Sequence, residues 1–336
     1  MMDAIPAQAV KQYRPIEELI PSHWTQSEIA VNGVRLHLYR TGGQKPPLLL
    51  LHGILEGALT WLRTARLLEA DYDVIMVDAR SHGRSSRAAT TFTHDRLVED
   101  AAGVIRTLAI SPAYVVGHSL GGAVGILLAH RHPELVRALV VEGWADDALP
   151  NPAQTLAQSE GYRRWLDSYI AWLEQLQHQS HAERMVASLG QLPAGAPLPP
   201  EEDYVPWVEY SANLDLDLVR LGAALWSRLH LSPETLTEAL AGVRCPVLLL
   251  KSAFFPQPGA SRAIREEPSD QPNVRIVRFE GTGHLIHREQ PEPFVELIRE
   301  FLAARRPAPP DRPPIRPGSG SAPRRAAPTP PGQTAE

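Results

Sequence analysis

Ser119 sits in Gly117-His118-Ser119-Leu120-Gly121-Gly122, after an apolar run at 113–116 and before a helical stretch at 123–130. Strand, sharp turn and helix therefore coincide on one hydroxyl. A G-x-S-x-G turn of this kind forces its serine into a strained conformation, and the flanking glycines make room for close approach of strand and helix. The hydroxyl is thereby exposed. The helix that follows aims backbone N–H groups and the positive end of its dipole at any oxyanion formed there. Attack of Ser119 on a carbonyl carbon is the chemistry such a turn serves.

Positioning a nucleophile this way requires a sheet, and the chain supplies one. Short β-like runs at 33–40, 47–51, 73–77, 113–117, 137–142, 246–251 and 273–279 alternate with helical stretches such as 95–108 and 120–131. Several runs are nearly all Val, Leu or Ile, which a parallel sheet covered on both faces requires. The expected class is α/β. Between 143 and 242 the alternation stops for ~100 residues, too long for a structureless loop. Tyr162, Trp165, Leu166, Tyr169, Leu173 and Leu176 fall at helical spacing there, and with Trp172, Trp207 and Trp226 they make the stretch read as an inserted helical cap. The expected division is a lead-in at 1–25, a core at 26–142 and 243–306, the cap at 143–242, and a tail at 307–336. That tail holds ten of the 32 prolines and few large apolar side chains, so disorder is expected of it.

Composition narrows the partners. Hydrophobic residues make up 43% and charged residues 21%, ordinary for a globular protein, and the net charge of -5 gives nucleic acid no basic surface to seek. The longest nearly unbroken apolar run, 120–129, is half the ~20 residues a membrane span needs, and no secretory leader is visible. A cytoplasmic location and a small-molecule substrate are the expectations. The single cysteine, Cys245, forms neither an internal disulfide nor a thiolate cluster and reads as a small strand-end residue.

The chain resembles the α/β-hydrolase superfamily, in its capped branch of esterases, epoxide hydrolases and haloalkane dehalogenases, over most of 27–304. Beside the serine turn, residues 48–61 (LLLLHGILEGALTW) resemble the family's strand ending in His-Gly with a distal Trp. Residues 78–85 (DARSHGRS) resemble its D-x-R-G-H-G-x-S turn, with Ser81 where glycine is usual, and 281–294 (GTGHLIHREQPEPF) resemble its histidine loop and last helix. The resemblance implies an oxyanion hole from the backbone N–H groups of Ile54 and Leu120, and His284 as general base with His287 as fallback, where a surface or helix-start role is the blander reading. It makes Arg80, His82 and Arg84 turn supports. His52 itself reads as a strand-end residue bonding its own loop, and His118, inside the serine turn, as a packing residue pointing away from the serine.

The acid departs from the family pattern. No Asp or Glu occurs from Ala239 to Arg265, where the usual carboxylate follows its strand. A second position known in the family, at the end of the preceding strand, is filled here by Glu142. Glu142 is the acid read from the sequence, its role to fix the His284 tautomer and stabilise the imidazolium, with Asp146 and Asp147 next. Serine at 119, where dehalogenases and epoxide hydrolases carry Asp, favours acyl transfer through a serine ester. The expected reaction is hydrolysis of an ester, thioester or lactone, with no metal or organic cofactor. Phe254, Phe255, Trp144 and Trp165 are the candidate pocket lining and suggest an apolar acyl or aryl group. Carbon–carbon bond hydrolysis and acyl transfer to an alcohol fit the same residues. A ligand-binding protein without turnover and a tail-driven interaction module stand outside that class. The sequence does not specify an oligomeric state.

Overall fold

Runs apolar at every position are satisfied only by burial on both faces, and here they form the inner strands of one sheet. The computed structural model describes residues 13–144, 160–190, 198–221, 225, 233–252 and 261–305; Asp146, Asp147, Trp226, Phe254, Phe255 and the Pro-rich tail lie outside them. The strands are β1 (Thr25–Val31), β2 (Val34–Arg40), β3 (Pro47–Leu51), β4 (Asp73–Val77), β5 (Ala113–His118), β6 (Val136–Trp144), β7 (Val247–Ser252), β8 (Ala263–Glu267) and β9 (Val274–Glu280). They lie in the order β1-β2-β4-β3-β5-β6-β7-β9-β8. The stretch from β4 to β9 in that order is parallel, while β1, β2 and β8 pair antiparallel at the two edges. β5 is fifth of nine, so the serine turn opens at the centre of the carboxyl edge, where ligands bind in sheets of this kind.

Helices cover both faces: α1 (Leu62–Leu68), α2 (His94–Thr107), α3 (Leu120–Arg131), α4 (Glu160–Gln177), α5 (His181–Leu189), α6 (Glu201–Ala212), α7 (Leu216–Arg220), α8 (Pro233–Ala241), α9 (Ile286–Glu289) and α10 (Pro291–Ala303). Strand alternation splits the core in two. Leu48, Leu50, Tyr114 and Val116 face α1, α6 and α10, whereas Leu49, Val115, Leu139 and Leu249 face α2, α3 and α8. Among the described residues no helix is long and apolar enough to cross a membrane.

Three differences from the sequence reading have simple causes. Strands β1 and β8 went unread because both are edge strands, exposed along most of their length and carrying polar residues. The lead-in is part of the core from residue 13 onward, because Tyr13, Leu19 and Trp24 bury their side chains in it. Within the inserted region, α4 buries Leu173 and Leu176 but leaves Trp165 53% exposed, stacked between Tyr162 and Tyr169 with centroids 5.7 and 5.3 Å away.

The turn after β4 is held from within. Asp78 accepts from the N–H groups of Ala58 (2.8 Å) and Arg84 (3.0 Å), and a Cβ on Gly83 would come within 2.4 Å of that carboxylate. Ser81 adopts φ 62, the conformation glycine gives without strain, and its hydroxyl accepts the Ala88 N–H at 2.8 Å. Arg80, fully buried, donates to both oxygens of Asp100 at 2.7 Å. Removing one partner of such a pair strands the other charge, so Arg80→Ala is expected to lower unfolding free energy by about 3–5 kcal/mol in urea titration.

Candidate active site

At the end of β5 the backbone turns into α3 through Ser119 at φ 52, ψ -113, a strained position for a residue with a side chain. Two glycines make this possible. A Cβ on Gly117 would lie 2.2 Å from the Gly121 carbonyl, and one on Gly121 would lie 2.2 Å from the Leu51 carbonyl. The Ser119 N–H donates to the Glu142 carbonyl at 2.9 Å, which ties the turn to β6. Leu120 begins α3, so its amide is among those with no partner inside the helix.

The loop after β3 comes alongside. The amides flanking Ile54 are both engaged: Gly53 N–H donates to Glu56 Oε2 at 2.7 Å and Leu55 N–H to His82 Nε2 at 3.2 Å. Leu55 itself has φ 61. His52 donates from Nδ1 to the Gly53 carbonyl (2.7 Å) and accepts the Ala79 N–H at Nε2 (3.0 Å), so it is neutral and bonds its own loop. His82 donates to the Arg80 carbonyl at 3.0 Å, and burial, with the nearby His52, pushes its pKa down to about 3.

His284 follows β9 in a loop held by its neighbours: Gly283 N–H donates to Glu289 at 3.0 Å, and Gln290 bonds Thr282. Its ring packs on Gly143, where φ is 79 and a Cβ would meet the imidazole at 2.8 Å. Burial and then the charge of His118 push the His284 pKa down to about 4, against the pull of Glu142 and Glu56. The ring is therefore neutral at pH 7, the state a general base needs.

Glu142 ends up buried at the carboxyl edge of the sheet, but its hydrogen bonds go to His287. Oε1 accepts the His287 N–H at 2.9 Å, and His287 Nδ1 lies 2.8 and 2.9 Å from the two carboxylate oxygens. Burial works to raise the Glu142 pKa, but His287 and His118 outweigh it and hold the group below the ordinary carboxylate range. Its action on His284 is through space. His287, at the start of α9, is buried with its ring 4.4 Å from that of Trp61, so it occupies a helix start but not the surface.

His118 also differs from its expected packing role. It is buried, with Nδ1 3.1 Å from Glu56 Oε2 and Nε2 3.1 Å from the His284 carbonyl, and its ring lies 4.7 Å from that of His284. Glu56 went unread altogether. The signal was present, since Glu56 is the one carboxylate in the apolar segment 48–61, where an acid has to find a partner. Of the proposed lining, Trp144 closes β6, and Phe254 and Phe255 lie outside the described residues.

A central parallel sheet, a strained serine between β5 and α3, and a histidine loop after β9 define an α/β hydrolase. The chain belongs to that family: residues 46–291 match the alpha/beta hydrolase fold. It is 25% identical over 294 residues to 2-(acetamidomethylene)succinate hydrolase of Mesorhizobium japonicum, spanning 85% of this chain and 98% of that one. To the soluble epoxide hydrolase of a Corynebacterium species it is 24% identical over 286 residues, 83% of this chain and 97% of that one. The solved structure of E-2-(acetamidomethylene)succinate hydrolase shares the fold with a TM-score of 0.62 at 20% identity, covering 84% of this chain and all of that one.

Proposed function

We propose that this hydrolase cleaves an ester, thioester or lactone of a small, apolar substrate through an acyl-enzyme on Ser119. The observation that carries the proposal is the serine itself, held at φ 52 at the centre of the sheet's carboxyl edge, with a neutral, half-buried His284 packed on Gly143 of the neighbouring strand β6. Ser119 attacks the carbonyl carbon and His284 takes its proton. The amides of Ile54 and Leu120 receive the oxyanion, and the tetrahedral species collapses with His284 returning the proton to the leaving group. Water activated by the same histidine then releases the acid. Glu142 supplies the buried negative charge that stabilises the imidazolium, and through His287 it holds the histidine loop. The inserted helices serve as the cap over the substrate. The curated relatives act on an acetamidomethylene succinate and on an epoxide, so the family alone does not choose the bond. Ser119 supports the carbonyl reading, because an epoxide hydrolase of this family carries a carboxylate at that position.

Two measurements test this. A fluorophosphonate is expected to add one adduct to the protein in intact-mass analysis, and short-chain alkyl or aryl esters are expected to turn over. No adduct would point to a binding protein that kept the fold, and an adduct without hydrolysis of any ester would point to carbon–carbon cleavage or acyl transfer. The acid limb of kcat/KM is expected near pH 4, well below the ordinary histidine value of ~6.5, because His284 stays neutral until then. Stability follows the same group. Between ~6.5 and 4 the unfolded chain takes up a proton that folded His284 refuses, so stability falls as pH is lowered through that window.

A further inference from the structure

His118 stands between two acceptors. One ring nitrogen faces the Glu56 carboxylate at 3.1 Å and the other faces the His284 carbonyl at 3.1 Å. A backbone carbonyl has no proton to give, and against burial the imidazoles of His118, His287 and His52 hold Glu56 ionised, so the ring donates from both nitrogens, which only an imidazolium does. Glu56 Oε2 in turn accepts the Gly53 N–H at 2.7 Å. One unbroken chain of bonds thus runs from the loop after β3, through the residue preceding the nucleophile, to the backbone of the histidine loop.

We infer that Glu56 and His118 form a charged brace across the three loops of the site, in which His118 is an imidazolium through neutral pH and acts as a positioning residue for His284. The charge state of the brace stands on its geometry and the charges around it, while its effect on turnover rests on the serine hydrolase reading.

The electrostatics agree. Burial opposes a charge on His118, yet Glu56 and Glu142 together with its hydrogen bonds raise its pKa to about 9. The charged and titratable groups facing it are Glu56 from the β3 loop, Glu142 from β6, His52 at the end of β3, His284 from its loop and His287 from α9. Those acting on His284 are His118, Glu142, Glu56 and His287. With His118 positive and both glutamates negative, these three groups sum to one negative charge while His284 is neutral. They are neutralised when His284 takes the serine proton. The brace therefore does two things at once. It fixes the histidine loop through its carbonyl, and its positive charge, acting more strongly on His284 than the Glu56 charge does, keeps the resting base unprotonated.

Nitrogen-15 NMR of the histidine-labelled wild-type chain tests the charge, with His118 assigned by the signal missing from His118→Asn. Two ring N–H signals from His118 are expected at pH 7.5, fading only as pH approaches 9. A singly protonated His118 ring at pH 7.5 overturns the inference. Glu56→Gln tests the function, since the amide cannot hold the imidazolium. kcat is expected to fall roughly 10²-fold as the loops lose register, and the acid limb of kcat/KM is expected to move up by about one pH unit as the His118 charge disappears. A fall in kcat with the limb unmoved would make the pair a structural tie only and would overturn the electrostatic role. If fluorophosphonate fails to label the wild type, the serine hydrolase reading fails by itself, and the NMR spectrum still decides the charge of the brace.

Discussion

Ser119→Ala is expected to lower kcat by ~10⁶ and to abolish the fluorophosphonate adduct while leaving thermal unfolding unchanged. The separation of effects follows from the turn. Alanine keeps the Cβ that the strained φ already accommodates and keeps the N–H donated to the Glu142 carbonyl, so β5, α3 and β6 stay joined. Only the attacking oxygen is lost. Because nucleophile and base act as a unit, His284→Ala in the same background should cost little more, and activity surviving in Ser119→Ala would remove the acyl-enzyme from the mechanism. The comparison is made with a chromogenic ester and intact mass on the same samples.

Glu142→Gln is expected to be the next most damaging change, with kcat reduced by ~10⁴ if the carboxylate acts as a triad acid does. Glutamine preserves an acceptor for the His287 N–H, so the loop stays anchored while the buried negative charge is removed. Two routes of action are separable with His287→Asn. If Glu142 works by its charge on His284, Glu142→Gln loses activity and the His287 variant keeps most of it; if it works by fixing α9, Glu142→Gln keeps most of its activity while His287→Asn, which loses the ring contact to the carboxylate, loses activity and unfolds earlier in urea. Unchanged activity in Glu142→Gln would send the acid to Asp146 or Asp147.

What could be read beforehand was whatever is local in the chain. The turn from β5 into α3 was legible because strand, glycines, serine and helix are contiguous, and the inner strands β3, β5 and β7 because burial on both faces leaves only apolar side chains. Strands β1 and β8 were not, since an edge strand with solvated faces looks like any polar segment. The hydrogen-bond partner of Glu142 was hidden for another reason: His287 is 145 residues away, and the choice between it and His284 depends on one turn of helix after a loop. His118 shows the limit of context. Its neighbours in sequence made it an elbow residue, whereas its charge is set by Glu56, 62 residues earlier.

Gly57 bears on how firmly α6 is seated. A Cβ there would lie 1.9 Å from the Tyr210 ring, so α6 rests directly on the loop that follows β3. The Tyr210 hydroxyl accepts the Leu59 N–H at 3.1 Å, and its pKa is pushed well above 10, first by burial and then by Asp78 and Tyr39. Arg63 and Arg288 both reach Asp203 at the other end of the same helix. Swinging α6 aside would strand these buried groups without partners, at about 1–3 kcal/mol for each. The helix is consequently fixed to the core at both of its ends.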